Sequence, residues 1–210
     1  MPFSLLLLIL LLALAGLSWF FIPILAGIPF VPTDAKRIRK ALEMVDLQPG
    51  ETFYDLGCGD GRVLIAAARD FGVRAVGIEI SPLHCLAAWI RVRLAGVGRQ
   101  ASVRWGDIYR AKLGKADVAF QYGHSRMAER LRLHLAEQLR DGARFVSVNV
   151  DIPGWQPVSV DRESRIFLYR MPPPPGDVGS YLMKDTAEVD PDSPGVPETS
   201  GRNRSTRRRA

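Results

Sequence analysis

The octapeptide DLGCGDGR, residues 55–62, sets three alternating glycines and two acids between the apolar run TFY and the helix-like VLIAAARD. Alternating glycines let a turn take positive φ and leave bare backbone against which a ligand can lie. Asp55 and Asp60 flank Gly57, Gly59 and Gly61. Acids at that turn repel a pyrophosphate, so a cationic or amino-bearing ligand suits the loop better than a dinucleotide. The dinucleotide fingerprint G-x-G-x-x-G also needs a third glycine at position 62, where Arg62 stands. Further acids follow in order. Glu79 closes the run RAVGIE, where a carboxylate can accept both hydroxyls of a ribose. Asp107, in RWGD, is placed to accept from an amino group such as that of adenine. A single acid after a strand is also an ordinary turn residue or helix cap; the ordered set points to a ligand.

These residues need elements to hold them. Apolar runs at 52–56, 74–80, 101–105, 116–122 and 143–150 read as strands, and WQPVSV with RIFLYR as a closing hairpin. Between them lie helical stretches at 62–70, at 81–96 with Ser81 as N-cap and Pro82 at the first helical position, and at 125–142, closed by Gly142. A first helix over 34–45 takes Thr33 as N-cap and sets Ile38, Ala41, Leu42 and Val45 on one face. Strands alternating with helices imply a parallel, doubly wound α/β sheet, whose ligands bind beyond the carboxyl ends of the strands.

The ends of the chain differ from this middle. FSLLLLILLLALAGLSWFF, from Phe3 to Phe21, is apolar apart from two serines, and as a helix it is long enough to span a bilayer. A cleaved secretory signal would carry Lys or Arg ahead of its apolar region, and none precedes this one, so residues 1–28 read as an uncleaved transmembrane anchor. The first charges beyond it include Lys36, Arg37, Arg39 and Lys40. By the positive-inside rule they place the domain on the cytoplasmic side of a single-pass membrane protein. Arginine far outnumbers lysine, which hints at a GC-rich genome and so at a bacterial inner membrane. Residues 171–210, rich in proline and ending RNRSTRRRA, read as a disordered tail. The net charge of +6 owes much to that tail and to the cluster after the anchor, so it does not argue for a nucleic-acid partner. Cys58 and Cys85 with three scattered histidines give no metal-ligand spacing.

DLGCGDGR, then GIEIS, then WGDI resemble motifs I to III of the class I S-adenosylmethionine-dependent methyltransferases, over about Pro29 to Arg170. The resemblance implies a Rossmann-like seven-stranded sheet. It implies that Gly57, Gly59 and Gly61 line the methionine and ribose of S-adenosylmethionine, with Asp55 near the methionine amino group. It also implies that Glu79 and the neighbouring Ile80 hold the ribose, and that Asp107 and Ile108 meet the adenine, with Cys58 a small neutral filler of the loop. PFVPTDAKRIRKAL after an apolar span, GIEISPLHCLAAWIRVR and LRDGARFVSVNVDIPGW are similar to the small membrane-anchored protein-lysine methyltransferases. Members of that family modify the c subunit of ATP synthase and the adenine nucleotide translocase. In them the P-[FY]-V-P-T segment precedes the core, so Phe30 and Thr33 either close over the cofactor or form a linker and helix cap.

The resemblance implies an in-line methyl transfer to a lysine that has lost its proton, a reaction in which the protein mainly positions its reactants. Burial beside the sulfonium charge lowers the lysine pKa, so a dedicated base is unnecessary. Amine methyltransferases often carry Asn or Asp followed by two prolines and an aromatic after the fourth strand; this chain has QYGHS. There Tyr122 is a candidate to face the acceptor and His124 to take a proton, with a plain loop residue as the alternative for the histidine. Trp155 either walls the acceptor channel or belongs to the core. Three functions remain open: methylation of lysine on a membrane protein, methylation of a lipid-like small molecule, and non-catalytic binding of S-adenosylmethionine.

Overall fold

The structure, a computed structural model, describes residues 3–25, 34–179 and 181–182. An apolar helix, α1 (Phe3–Leu25), precedes the charged α2 (Ala35–Met44). The domain then runs β1 (Thr52–Leu56), α3 (Arg62–Phe71), β2 (Arg74–Glu79), α4 (Pro82–Leu94) and β3 (Ala101–Trp105). A 3-10 turn (Ile108–Arg110) leads to β4 (Val118–Tyr122), α5 (Ser125–Gln138), β5 (Arg144–Val148), β6 (Ser159–Asp161) and β7 (Ile166–Arg170). The seven strands form one sheet in the order β3-β2-β1-β4-β5-β7-β6. The first five pair in parallel, and β7 enters antiparallel between β5 and β6. The Rossmann-like α/β arrangement expected from the alternation is therefore present, with the closing hairpin folded onto its far edge.

Periodicity explains which faces are buried. Ile38, Ala41 and Leu42 of α2, Val63, Leu64, Ala67 and Ala68 of α3, and Ala88 and Val92 of α4 pack under one face of the sheet. The other face is covered by α5 through Met127, Leu131 and Leu135, and by the connections that bring in Leu113, Ile152 and Trp155. No full helix joins β3 to β4; the turn at 108–110 and Leu113 fill that space instead. Each fully buried leucine in these layers contributes about 1.5–3 kcal/mol relative to an exposed one. At the amino ends of the strands Arg144 clasps the domain, donating to the carbonyls of Val45 (2.8 Å) and Asp46 (2.7 Å) and pairing with Glu51.

Three expectations change. The helix after the first linker begins at Ala35 with Asp34 as its N-cap residue, and Phe30 and Thr33 lie outside the described residues. The folded part runs past residue 170: Met171 is buried in the core, and the Pro174 carbonyl accepts from the Gln156 amide at 2.8 Å. The tail expected over 171–210 thus starts later, and most of it lies outside the described residues. As for the anchor, the described side chains of α1 cover residues 3–17, and among the described residues no helix is long and apolar enough to cross a membrane.

Candidate active site

The carboxyl ends of β1, β2, β3 and β4 converge on the glycine loop. The Gly57 and Cys58 amides both donate to the Ile78 carbonyl (2.9 and 3.1 Å), which folds the loop back over β2. Gly57 has φ +89° with open space where a Cβ would stand, the bare backbone that the spacing predicts. Gly61, at φ +79°, begins α3, and a Cβ there would lie 3.1 Å from the Ala88 Cβ. The loop therefore needs glycine here twice over, for its dihedral and for the close approach of α4. Cys58 is buried, and Gly77 makes room for its sulfur: a Cβ on Gly77 would fall 2.6 Å from Sγ.

Glu79 sits at the end of β2, 7% exposed, with both carboxylate oxygens anchored. Oε2 accepts from the Gly59 amide and Oε1 from the Ser81 amide, each at 2.9 Å. One lone pair on each oxygen remains, in the paired geometry that a ribose diol requires. Ser81 also caps α4, its side chain accepting from the His84 amide. Ile80, half-buried beside Glu79, offers its carbonyl to the Trp105 indole N–H at 2.9 Å and so ties the ends of β2 and β3 together.

Asp55 lies at the penultimate position of β1, paired in register with Gly77 and Phe120. It is 1% exposed, and its Oδ2 has no hydrogen-bond partner. Burial, reinforced by the charges of Glu79 and Asp60, pushes its carboxyl well above the ordinary range. An orphaned carboxylate oxygen among other acids is costly unless a cation arrives. An ammonium group at that oxygen supplies both the missing donor and the missing charge.

Asp60 does not share this role. Its carboxylate is held by the Arg62 guanidinium (2.9 and 2.7 Å) and by Arg91. Burial alone would raise this carboxyl, but the Arg62 hydrogen bond and the two guanidinium charges outweigh it and hold it below its ordinary value. The expectation that Asp60 adds attraction for a cationic ligand is thus corrected: it neutralises two arginines and fastens the loop to α3 and α4.

Asp107 follows β3 and is half-buried. Its Oδ1 caps the 3-10 turn by accepting from the Tyr109 amide at 2.9 Å, leaving Oδ2 to face outward, 4.0 Å from Arg130. Ile108 is buried in the core cluster beneath that turn, so its side chain fixes the turn from below. Tyr122 ends β4, and the register Asp55↔Phe120 carries it level with Gly57. Its hydroxyl accepts from the Arg37 guanidinium of α2 at 3.3 Å. His124 is exposed and occupies the N-cap position of α5, its Nδ1 accepting from the Arg126 amide at 3.4 Å. Trp155 is buried against Phe145 and Tyr169 and belongs to the core, not to a channel wall.

Two features are not legible from the sequence pattern. Arg37, which touches Tyr122, is in sequence only one member of a charge cluster. Asn149, after β5, adopts φ +79° and donates through Nδ2 to the Gly123 carbonyl at 3.5 Å, supporting the turn that follows Tyr122. Asn tolerates that left-handed conformation better than most residues, and an Asn directly after an apolar strand is the one available signal. Among the described residues no group of three metal-ligating side chains occurs.

Residues 55–159 match the model of the ANTKMT methyltransferase domain. The chain belongs to that family. It is 37% identical over 134 residues to a protein-lysine N-methyltransferase of Saccharolobus islandicus, covering 63% of this chain and 83% of that one. It is 32% identical over 130 residues to the lysine N-methyltransferase of Mus musculus named for the C subunit of ATP synthase, where 62% of this chain spans 52%, about half, of the relative. Among solved structures, an RNA methyltransferase from Salinibacter ruber bound to S-adenosyl-L-homocysteine superposes with a TM-score of 0.66 at 37% identity, over 68% of this chain and 94% of that one. The protein is an S-adenosylmethionine-dependent methyltransferase with a class I fold, of the protein-lysine methyltransferase family. The orphaned Asp55 oxygen, the paired Glu79 oxygens and the open backbone at Gly57 fit the amino, ribose and sulfonium parts of that cofactor.

Proposed function

We propose that this methyltransferase modifies lysine side chains of a membrane protein, with α1 as a single-pass anchor holding the domain at the cytoplasmic face. The observation that carries the reading is the pairing of a lysine methyltransferase fold with α1, whose leucines from Leu5 to Leu17 stand exposed next to the domain. The basic residues Lys36, Arg37, Arg39 and Lys40 follow directly. The mouse relative's name assigns it to the C subunit of ATP synthase, and an anchored enzyme meets a partner in the same membrane at high effective concentration.

When bound, S-adenosylmethionine supplies a methyl carbon activated by a positive sulfonium. The chain's residues do the rest by placement. Asp55 receives the ammonium group and Glu79 the ribose hydroxyls, while the Gly59 and Ser81 amides keep the Glu79 carboxylate from turning away. Tyr122, level with Gly57, borders the path of the acceptor nitrogen. An ammonium has no lone pair, so the acceptor must arrive neutral; the Arg37 charge held at the Tyr122 hydroxyl favours that form. His124, exposed and engaged through Nδ1, offers only its Nε2 to a departing proton.

The Salinibacter ruber structure is an RNA methyltransferase, which favours RNA as a second acceptor class. One experiment separates these readings. Labelled methyl groups are transferred from S-adenosylmethionine to membranes and RNA from cells lacking the gene, using the intact protein and Glu79→Ala. Label in a small protein band, absent with the variant, supports the proposal. Label removed by ribonuclease establishes RNA instead, and label extracted by organic solvent a lipid-like acceptor. No label despite cofactor binding leaves a non-catalytic membrane module.

A further inference from the structure

The sheet face on which α5 packs is unevenly covered. The connection from β3 to β4 is short, and the turn at 108–110 with Leu113 leaves two grooves open beside it. Arg104 pairs in register with Ile78, and Ser102 with Val76, so both side chains belong to this face, opposite the layer of α3 and α4. One groove, of about 440 Å³, lies at the carboxyl end of β3 and is lined by Trp105, Asp107 and the cations Arg104, Arg110 and Lys112. The other, of about 710 Å³, lies at the amino ends of β2 and β3 and is lined by Arg74, Arg99, Arg104 and Lys115. They share Arg104 and so form one basic strip along the β3 edge.

All six of these cations are exposed, and among the described residues none of them is in an ion pair. The two acids in the grooves are engaged elsewhere: Asp117 is taken by Arg140, and Asp107 by the Tyr109 amide and Arg130. Long basic side chains on an edge strand protect it against pairing with another sheet. That role covers Arg104 alone, because Arg74 opens the interior strand β2 and the other four lie on turns and loops. Cations gathered in this way repel one another and fit an anionic chain.

We propose that the strip is the docking site of this chain's own acidic segment, residues 185–198, which lies outside the described residues. That segment, DTAEVDPDSPGVPE, carries five carboxylates (Asp185, Glu188, Asp190, Asp192 and Glu198) and no cation. The basic RNRSTRRR that follows has the strip's own sign and is kept out of it. The chain approaches on the right face. Trp155 and Met171 share the core cluster of Val76 and Ile78, Pro175 bridges to Trp155, and the Gly176 amide donates to the Gly154 carbonyl at 3.2 Å. Phe145 of β5 packs on Trp155, and from β5 to β3 the four strand spacings amount to about 19 Å. Residues 183–198 can extend to about 50 Å, enough to pass round α5. A tethered segment acts at an effective concentration in the millimolar range, so surface ion pairs that are individually weak suffice together. Docked there, the segment keeps free polyanions away from the turn at Asp107 and the mouth of the site.

The docking depends on neither the acceptor nor the anchor, and its test needs no turnover. The full chain is treated with a water-soluble carbodiimide, which joins a carboxylate to an amine in contact with it, and the linked peptides are mapped. Two of the five lysines, Lys112 and Lys115, line the strip, whereas Lys36 belongs to α2 in the opposite layer. Links from residues 185–198 to Lys112 or Lys115 within one copy, favoured over links to Lys36, are the expected result. They are lost at about 1 M salt, where charges are screened beyond about 3 Å. In Arg74→Glu/Arg99→Glu, which keeps both lysines, their yield falls about fivefold, with S-adenosyl-L-homocysteine binding showing that the variant is folded. Links spread evenly onto Lys36, or no links to the strip, overturn the docking. Links between copies, detected by mixing ordinary with heavy-isotope-labelled chain, overturn the intramolecular site and make the strip a contact of two chains. A photoreactive uridine oligonucleotide is the last probe. If it labels the strip of the full chain as strongly as that of Asp185→Asn/Glu188→Gln/Asp190→Asn/Asp192→Asn/Glu198→Gln, the tail is overturned as occupant and the strip belongs to a free polyanion.

Discussion

Replacing Asp55 by asparagine separates what the residue does for the cofactor from what it costs the fold. The carboxyl is buried, has an orphaned Oδ2, and faces Glu79 and Asp60. Burial first, then those two charges, raises its pKa above the ordinary 3.8. Between that value and the raised one, the folded chain keeps a proton that the unfolded chain has lost. The Asp55 contribution therefore weakens the fold as pH rises through this window, and is least harmful below it. An asparagine side chain has no charge to bury, so Asp55→Asn is expected to gain roughly 1 kcal/mol at neutral pH. That is a Tm increase of about 2–4 °C for a chain of this size.

Binding moves the other way. A charge-assisted hydrogen bond to the cofactor's ammonium is worth about 1.5–3 kcal/mol, so Asp55→Asn loses about ten- to a hundredfold in affinity for S-adenosyl-L-homocysteine. The ammonium favours ionised Asp55, so binding to the unsubstituted protein releases a proton at pH below the raised value. Affinity climbs with pH through that region and then levels. Titration calorimetry in two buffers of different ionisation enthalpy reads the proton directly. A variant that loses stability and affinity together would make Asp55 a structural acceptor, and an unchanged affinity or an unchanged proton release would refute the assignment outright.

Other substitutions probe the loop and the acceptor side. Gly61→Ala puts a Cβ at positive φ and 3.1 Å from the Ala88 Cβ, with the Ala88 backbone at 3.3 Å behind it. Thermal melting should show a loss of roughly 2–3 kcal/mol. Tyr122→Phe keeps the ring but removes the oxygen that holds Arg37. It should lower kcat about three- to tenfold with S-adenosyl-L-homocysteine affinity unchanged, as single-turnover and binding assays can separate. Burial and the nearby Glu79 push the Cys85 thiol up to about 11. Alkylation followed by mass spectrometry at a pH of about 7.5 should find it much slower than in the denatured chain, because the thiolate fraction is below about one in a thousand.

What the sequence displayed and what it concealed divide by the range of the interactions. The positive φ of the glycines and the strand–helix alternation depend on residues a few positions apart, and they stand in the structure where spacing placed them. The Ser81 cap and Pro82 start of α4 hold for the same reason. Asp60 reads wrongly from sequence because its second partner, Arg91, is 31 residues distant on another helix; local spacing shows an acid beside glycines and not a carboxylate already taken. The contact between Arg37 and Tyr122 spans 85 residues and joins a charge cluster to a strand end. Composition makes 171 onward look unstructured, because proline lacks an N–H; it keeps its carbonyl, and Pro174 uses it to satisfy the Gln156 amide.

The same division bears on substrate choice. The residues that fit the cofactor lie in one loop and at the ends of two adjacent strands, so they are legible from contiguous motifs. The acceptor side proposed above draws on α2, the end of β4 and the turn supported by Asn149, elements distant in sequence that share no motif. On the anchored reading proposed above, α1 stands before α2 in the chain, and Arg37 of α2 reaches the Tyr122 hydroxyl. That reading gives the apolar segment influence on turnover as well as on location. Detergent-solubilised and bilayer-embedded protein should then differ in kcat on a soluble lysine peptide, a difference that Arg37→Ala removes. Equal kcat in both settings would show that α1 does no more than anchor.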